Sequence, residues 1–223
     1  MRVVLWGGTG QAKVVAAGLG ADHEVVLVVD VDTAVKSPLD GVPILHDAAA
    51  VGRVVEKVGA NAYVVTIGGS RGRDRLHVAC ELDSLDLVPL TVVHPRAWVD
   101  PSARLGPGSQ ISALAGVGVE AVIGAHCIIN TNATVDHETV LGDGVHIMPG
   151  ATVAGCVSIG EAATIGSNAT VLPRLSVGRD AVVGAGAVVI RDVAAGDVVI
   201  GVPAKPQNAQ ERGLRTSSRL TQT

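Results

Sequence analysis

From Val93 to Val189 an aliphatic residue returns every sixth position without a slip, as in Ile123, Ile129, Val135, Leu141, Ile147 and Val153; the series has seventeen members. Four residues after each comes a second, mostly small position: Ala97, Ala103, Ser109, Ala115, Ala121, Cys127, Ala133 and Thr139, with Leu175 the clear exception. A short fixed period marks a solenoid in which every repeat is one rung. Six residues make one short strand and a corner, so three hexads close a triangular coil. Branched aliphatics suit strands and stack in columns along the axis. The position four later faces a narrow interior that admits only a small side chain. Gly106, Gly118, Gly124, Gly142, Gly160, Gly166, Gly178 and Gly184 each follow a column residue. They read as corner residues that need positive φ.

Ahead of this stretch the pattern alternates strand and helix. Strands are predicted over 2–6, 24–29, near 43–45, 62–67 and 89–93, and helices over 11–20, 47–57 and 71–82. Such alternation gives a small parallel α/β sheet with a Rossmann-like start. The expected organisation is a nucleotide-binding domain over 1–92, a parallel β-helix over 93–206 and a polar tail over 207–223. No flexible linker separates the first two near His94-Pro95, so rigid coupling is expected.

The turn Gly7-Gly8-Thr9-Gly10 lies between the first strand and helix, where free N–H groups and the helix dipole suit a phosphate. The dinucleotide fingerprint is incomplete, because Lys13 stands at its third glycine. A close-packing turn without a ligand is the plainer alternative. Asp30, closing the second strand, is placed for a ribose or base; exposed strand-end aspartates are also often merely solvated. In the β-helix, His137 and Glu138 project outward off the columns, and His146 lies half a coil further on. A histidine beside a carboxylate suits a general base, since imidazole titrates near neutrality and the carboxylate holds its tautomer. A solvated surface histidine is the competing reading. The remaining histidines are scattered without metal-ligand spacing, so no metal site is expected.

Composition narrows the field. A net charge of -4 and no basic run exclude the usual nucleic-acid binder. No apolar run approaches the roughly 20 residues of a membrane span. Three cysteines, odd in number and widely spaced, point to reduced thiols and a cytoplasmic protein. Two tryptophans, one tyrosine and no phenylalanine fit a prism too thin for rings.

Together these segments resemble the bacterial nucleotide-sugar acetyltransferases of the sialic-acid O-acetyltransferase type, whose relatives N-acetylate UDP- or GDP-linked amino sugars. The resemblance rests on residues 7–15, on Val28-Val29-Asp30-Val31-Asp32 with 41–45, and on Thr66-Ile67-Gly68 with 73–76 and 93–97. It rests above all on residues 130–138 with 142–147, 149–151 and Gly201-Val202-Pro203-Ala204-Lys205. It implies the left-handed form of the β-helix and acetyl-CoA as co-substrate. His137 becomes the base on the acceptor, with Glu138 beside it, and His146 a contact to the thioester oxygen. Gly201 and Lys205 would face the far end of CoA, and Gly8, Thr9, Gly10, Gln11 and Asp30 the nucleotide. A homotrimer with CoA between adjacent β-helices is implied as well. Gln11 departs from the family's usual histidine. Sugar O-acetylation, a γ-type carbonic anhydrase with three zinc histidines, and a non-catalytic sugar-nucleotide scaffold are the rival readings.

Overall fold

A computed structural model describes residues 1–207; all but the first residue of the polar tail lies outside them. Residues 1–89 form a five-stranded parallel sheet. Its strands are β1 (Arg2–Trp6), β2 (Glu24–Val29), β3 (Ile44–Leu45), β4 (Ala62–Val65) and β5 (Val88–Pro89), in the order β3-β2-β1-β4-β5. The inner strands are apolar runs because both faces are covered, and Val3, Val4, Leu5 and Ala62 through Val65 are fully buried. Helices α1 (Gly10–Gly18), α2 (Val51–Val58) and α3 (Gly72–Asp83) provide the cover. A 3-10 turn, Ala48–Ala50, precedes α2, so the helix expected from residue 47 starts later.

The predicted strand over 89–93 is two strands. Val88–Pro89 closes the α/β sheet, while Val92–Val93 pairs with Gln110–Ile111 and opens the β-helix. Pro89 has no N–H to carry a ladder onward, and the chain turns between the two. From there each strand pairs in parallel with the one 18 residues on, for example Thr134 with Thr152 and Val135 with Val153. Three flat sheets result, one per face of the prism. Column residues from Ile111 to Val189 are at most 2 % exposed. Val93, on the open first rung, is 41 % exposed because no coil covers it. The C-terminal end is closed by the antiparallel pairing of Val198–Ile200 with Lys205–Pro206.

The corners correct one expectation. Positive φ occurs three residues after every column position from Leu105 to Val183 and is borne mostly by residues other than glycine, including Glu120, His126, Asn132, Glu138, Cys156 and Arg174. The glycines directly after the columns do not have it. Their role is proximity: a Cβ on Gly160 would lie 2.4 Å from the backbone nitrogen of Arg179 in the next coil. Coils stacked at about 4.8 Å leave no room there for a methyl.

Helix α3 docks the α/β sheet on the prism. A Cβ on Gly72 would stand 2.5 Å from the Gly144 carbonyl oxygen. Arg73 forms a bidentate pair with Asp180, both contacts at 2.8 Å, and a further ion pair with Glu161. Arg75, fully buried, donates to the carbonyls of Ile67 (3.0 Å), His126 (3.2 Å) and Gly144. Burial lowers its pKa to about 10, which still leaves it charged at neutral pH.

Candidate active site

Where the carboxyl ends of β1, β2 and β4 meet the prism, a cavity of about 600 Å³ opens. Strand ends are where open parallel sheets leave a crevice. Its polar lining includes Thr9, Gln11, Asp30 and Arg71 from the α/β sheet, and Asn130 and His146 from the β-helix. Trp6, Val31, Ile67 and Val78 supply apolar wall. Of the predicted nucleotide residues, Thr9, Gln11 and Asp30 face this space. Gly8 is packed behind it: a Cβ there would meet Val35 at 3.0 Å and Ile44 at 3.2 Å. Gly10 begins α1, and a Cβ there would meet nothing within 4 Å, so its surroundings are open. Asp30 also holds the turn, accepting from the Gly8 N–H at 2.7 Å and from the Asp32 N–H at 3.0 Å.

Gln11 belongs to a relay that spacing did not reveal. Its Nε2 donates to Oε1 of buried Gln110 at 2.8 Å, and Gln110 Nε2 donates to the Val65 carbonyl at 2.8 Å. The fixed carbonyl sets the orientation of both amides. Gln11 is thereby left with its own carbonyl oxygen unused by this relay, an acceptor at the cavity wall.

His146 sits at the inner wall of the same cavity and is 3 % exposed. Its Nδ1 lies 3.0 Å from the Gly69 carbonyl oxygen, and its Nε2 lies 3.1 Å from the Asn130 amide nitrogen. These partners fix the Nδ1–H tautomer, with Nε2 accepting. Burial depresses its pKa to about 4, so the ring is neutral near pH 7. Both ring nitrogens are engaged, a state the sequence could not anticipate for a residue expected at the thioester.

His137 lies on a corner of the prism, in the turn between Thr134–Val135 and Val140–Leu141. It is not among the cavity's lining residues. Its Nδ1 is 3.1 Å from Glu138 Oε2, and the side chains are about half exposed. The Asp136 carboxylate accepts from the His137 backbone N–H at 2.7 Å. The ring lies over Gly155, where a Cβ would stand 2.3 Å from Nε2. Hydrogen bonds from His137 and then from the Cys156 thiol hold the Glu138 carboxyl below its usual range. Cys156 Sγ is 3.6 Å from Glu138 Oε2. The available signal for Cys156 was its separation of 18 residues from Glu138, one full coil.

Gly201 and Lys205 form the terminal turn, with Val188 N–H donating to the Gly201 carbonyl at 3.1 Å. Val188–Val189 lies three rungs beyond Thr134–Val135, about 15 Å along the axis at the usual strand spacing. Among the described residues, one group could hold a metal ion, and it contains a single histidine, His137, with Glu138 and Cys156. A three-histidine zinc site of the carbonic anhydrase kind is absent from those residues. No described helix is long and apolar enough to cross a membrane.

The family model for bacterial transferase hexapeptide (six repeats) matches residues 138–173 and 156–191. Among solved structures, PerB from Caulobacter crescentus, in complex with CoA and GDP-perosamine, is 37 % identical with a TM-score of 0.86. That match covers 93 % of this chain and 98 % of PerB. A mutant of perosamine N-acetyltransferase from Caulobacter crescentus, in complex with the same two ligands, is 35 % identical, covering 93 % of this chain and 97 % of that one, with a TM-score of 0.86. The acetyltransferase domain of PglB from Neisseria gonorrhoeae FA1090, in complex with acetyl coenzyme A, is 32 % identical with a TM-score of 0.82, and the match covers 92 % of this chain and 98 % of that one. A comparison with curated protein sequences returns no match. The columns, the stacked parallel sheets and these alignments fit a left-handed β-helix behind an α/β domain. At this identity, over nearly the whole of each chain, the protein belongs to the hexapeptide-repeat family of nucleotide-amino-sugar N-acetyltransferases.

Proposed function

We propose that this acyltransferase moves the acetyl group of acetyl-CoA to the amino group of a nucleotide-linked amino sugar, with His137 as general base. The observation that carries the reading is the His137–Glu138 pair at 3.1 Å on a frame shared with relatives solved with CoA, acetyl-CoA or GDP-perosamine. The acceptor nitrogen attacks the thioester carbonyl carbon as His137 takes its proton. The tetrahedral intermediate collapses, the C–S bond breaks, and the CoA thiolate leaves to be protonated by the imidazolium. Glu138 accepts a hydrogen bond from Nδ1–H, which keeps Nε2 free as the basic atom and stabilises the imidazolium as it forms. Backbone N–H groups at the site would carry the oxyanion. A direct contact from His146 would require Asn130 or Gly69 to release it.

The nucleotide belongs at the cavity, with its phosphates toward the Gly8–Gly10 turn and Thr9, Gln11 and Asp30 around it. CoA would run along the prism from the His137 rung to Gly201 and Lys205. Because His137 lies off the cavity of its own chain, the reading includes a homotrimer in which an adjacent copy brings its His137 corner to that cavity. Exposed Val119 and Val140 flanking this corner support such an interface, since solvent-facing aliphatics gain from cover. The reading places the reaction in the cytoplasm, which fits three free cysteines and the need for acetyl-CoA.

The test is CoA release under steady state with GDP- and UDP-linked amino sugars. His137→Asn should lower kcat by about 10²- to 10⁴-fold, the usual contribution of a positioned base, while acetyl-CoA still binds. Undiminished kcat in this variant would remove His137 from the mechanism. Acetylation of sialic acid alone would convert the reading to O-transfer.

A further inference from the structure

We propose that His137, Glu138 and Cys156 form a binding site for a zinc-class divalent cation that shuts the enzyme off reversibly. The three side chains bring nitrogen, oxygen and sulfur to one corner, and their ligand atoms all lie within 4.8 Å of one another. Two of the separations lie close to those of a shared ion: 3.1 Å from His137 Nδ1 to Glu138 Oε2 and 3.6 Å from Glu138 Oε2 to Cys156 Sγ. A tetrahedral zinc with bonds of about 2.0–2.3 Å sets neighbouring ligand atoms roughly 3.3–3.6 Å apart. The nitrogen-to-sulfur edge is at most 4.8 Å.

The backbone fixes the set. Glu138 and Cys156 occupy equivalent corner positions one coil apart, and both have positive φ, 55° and 59°. The Cys156 N–H donates to the His137 carbonyl at 2.9 Å, tying the two rungs together at the site. The donor types select the ion. Imidazole, carboxylate and thiolate together favour zinc over magnesium or calcium, which prefer all-oxygen sites. Carboxylate and thiolate together balance the charge of a dication and offset its repulsion by Arg174, whose charge acts on Glu138. Three protein ligands leave one position for water, the arrangement of an exchangeable site.

Inhibition follows from the tautomer and rests on the proposed role of His137. A cation on Nδ1 obliges the neutral ring to carry its proton on Nε2. The atom that should receive the acceptor's proton then has no lone pair to offer. Binding needs the Cys156 thiol to release its proton to solvent as the S–metal bond forms, and no oxidant takes part.

Two measurements on the full-length protein keep the site and the mechanism apart. Cobalt(II) titration reads the ligands without turnover: a thiolate-to-cobalt charge-transfer band should grow to one equivalent per chain, vanish in Cys156→Ser and persist in Cys80→Ser. Turnover with added zinc should fall in the wild type and recover with chelator, and Cys156→Ser, measured against its own zinc-free turnover, should need at least about tenfold more zinc for the same fractional inhibition. Absence of the band, or a band retained in Cys156→Ser, overturns the site. A normal band with turnover indifferent to zinc overturns the inhibitory role and counts against His137 as base, leaving the metal site standing.

Discussion

Replacing Gly160 by alanine puts a methyl group where the next coil's backbone already lies. The new Cβ would stand 2.4 Å from Arg179 N and 2.8 Å from Arg179 Cα, about 1 Å inside normal contact. No rotamer change relieves it, because every nearby atom is main chain. The coils must part or the corner must shift, and overpacking of this kind costs about 3 kcal/mol. Gly186 is the matched control: its φ is +67° and nothing lies within 4 Å of a Cβ. There alanine meets only left-handed strain of about 1–2 kcal/mol, partly offset by the lower entropy of its unfolded chain. The entropy gain is common to both variants and cancels, so urea unfolding at one fixed protomer concentration, which removes the mass-action term, should rank Gly160→Ala below Gly186→Ala by about 1–2 kcal/mol. Equal loss, or greater loss in Gly186→Ala, would refute proximity as the reason for the glycines that follow column residues.

Two more predictions concern the junction of prism and cavity. Arg75→Met removes the donor to three buried carbonyls and should cost about 3 kcal/mol, read as a lowered unfolding midpoint; an unchanged midpoint would show that those carbonyls find other partners at no cost. His146 has a folded pKa of about 4, below its ordinary 6.5, so on acidification the unfolded chain takes up the proton first. Its contribution is complete above about pH 6.5 and is lost as pH falls toward 4, amounting to about 3 kcal/mol at most. Unfolding curves across that window should slope for the wild type and flatten in His146→Gln, and an unchanged slope would count against a buried neutral ring.

Regular features were legible because they are local. The sixfold columns give the prism, its 18-residue coil and its inward faces, and the alternation before Val93 gives the parallel sheet. What stayed hidden depends on contacts between distant residues. Glycine looks the same in sequence whether it serves φ or proximity, and only the neighbouring coil separates the two. The Gln11–Gln110 relay spans 99 residues and has no local mark. Arg75 left a trace, since it shares the buried face of α3 with Val78, Ala79 and Leu82, a position that periodicity reserves for an apolar side chain. His137 and Glu138 could be picked out as a pair by adjacency, whereas the engagement of both His146 nitrogens required Gly69 and Asn130 to be placed in space.

The reaction itself is tested most directly by mass spectrometry of its product. The enzyme would be incubated with acetyl-CoA and a panel of GDP- and UDP-linked 3- and 4-amino sugars, with free sialic acid alongside. The account predicts a gain of one acetyl group on a nucleotide-linked amino sugar, lost in His137→Ala. No acetylated nucleotide sugar from the wild type, or the same yield from His137→Ala, would contradict it.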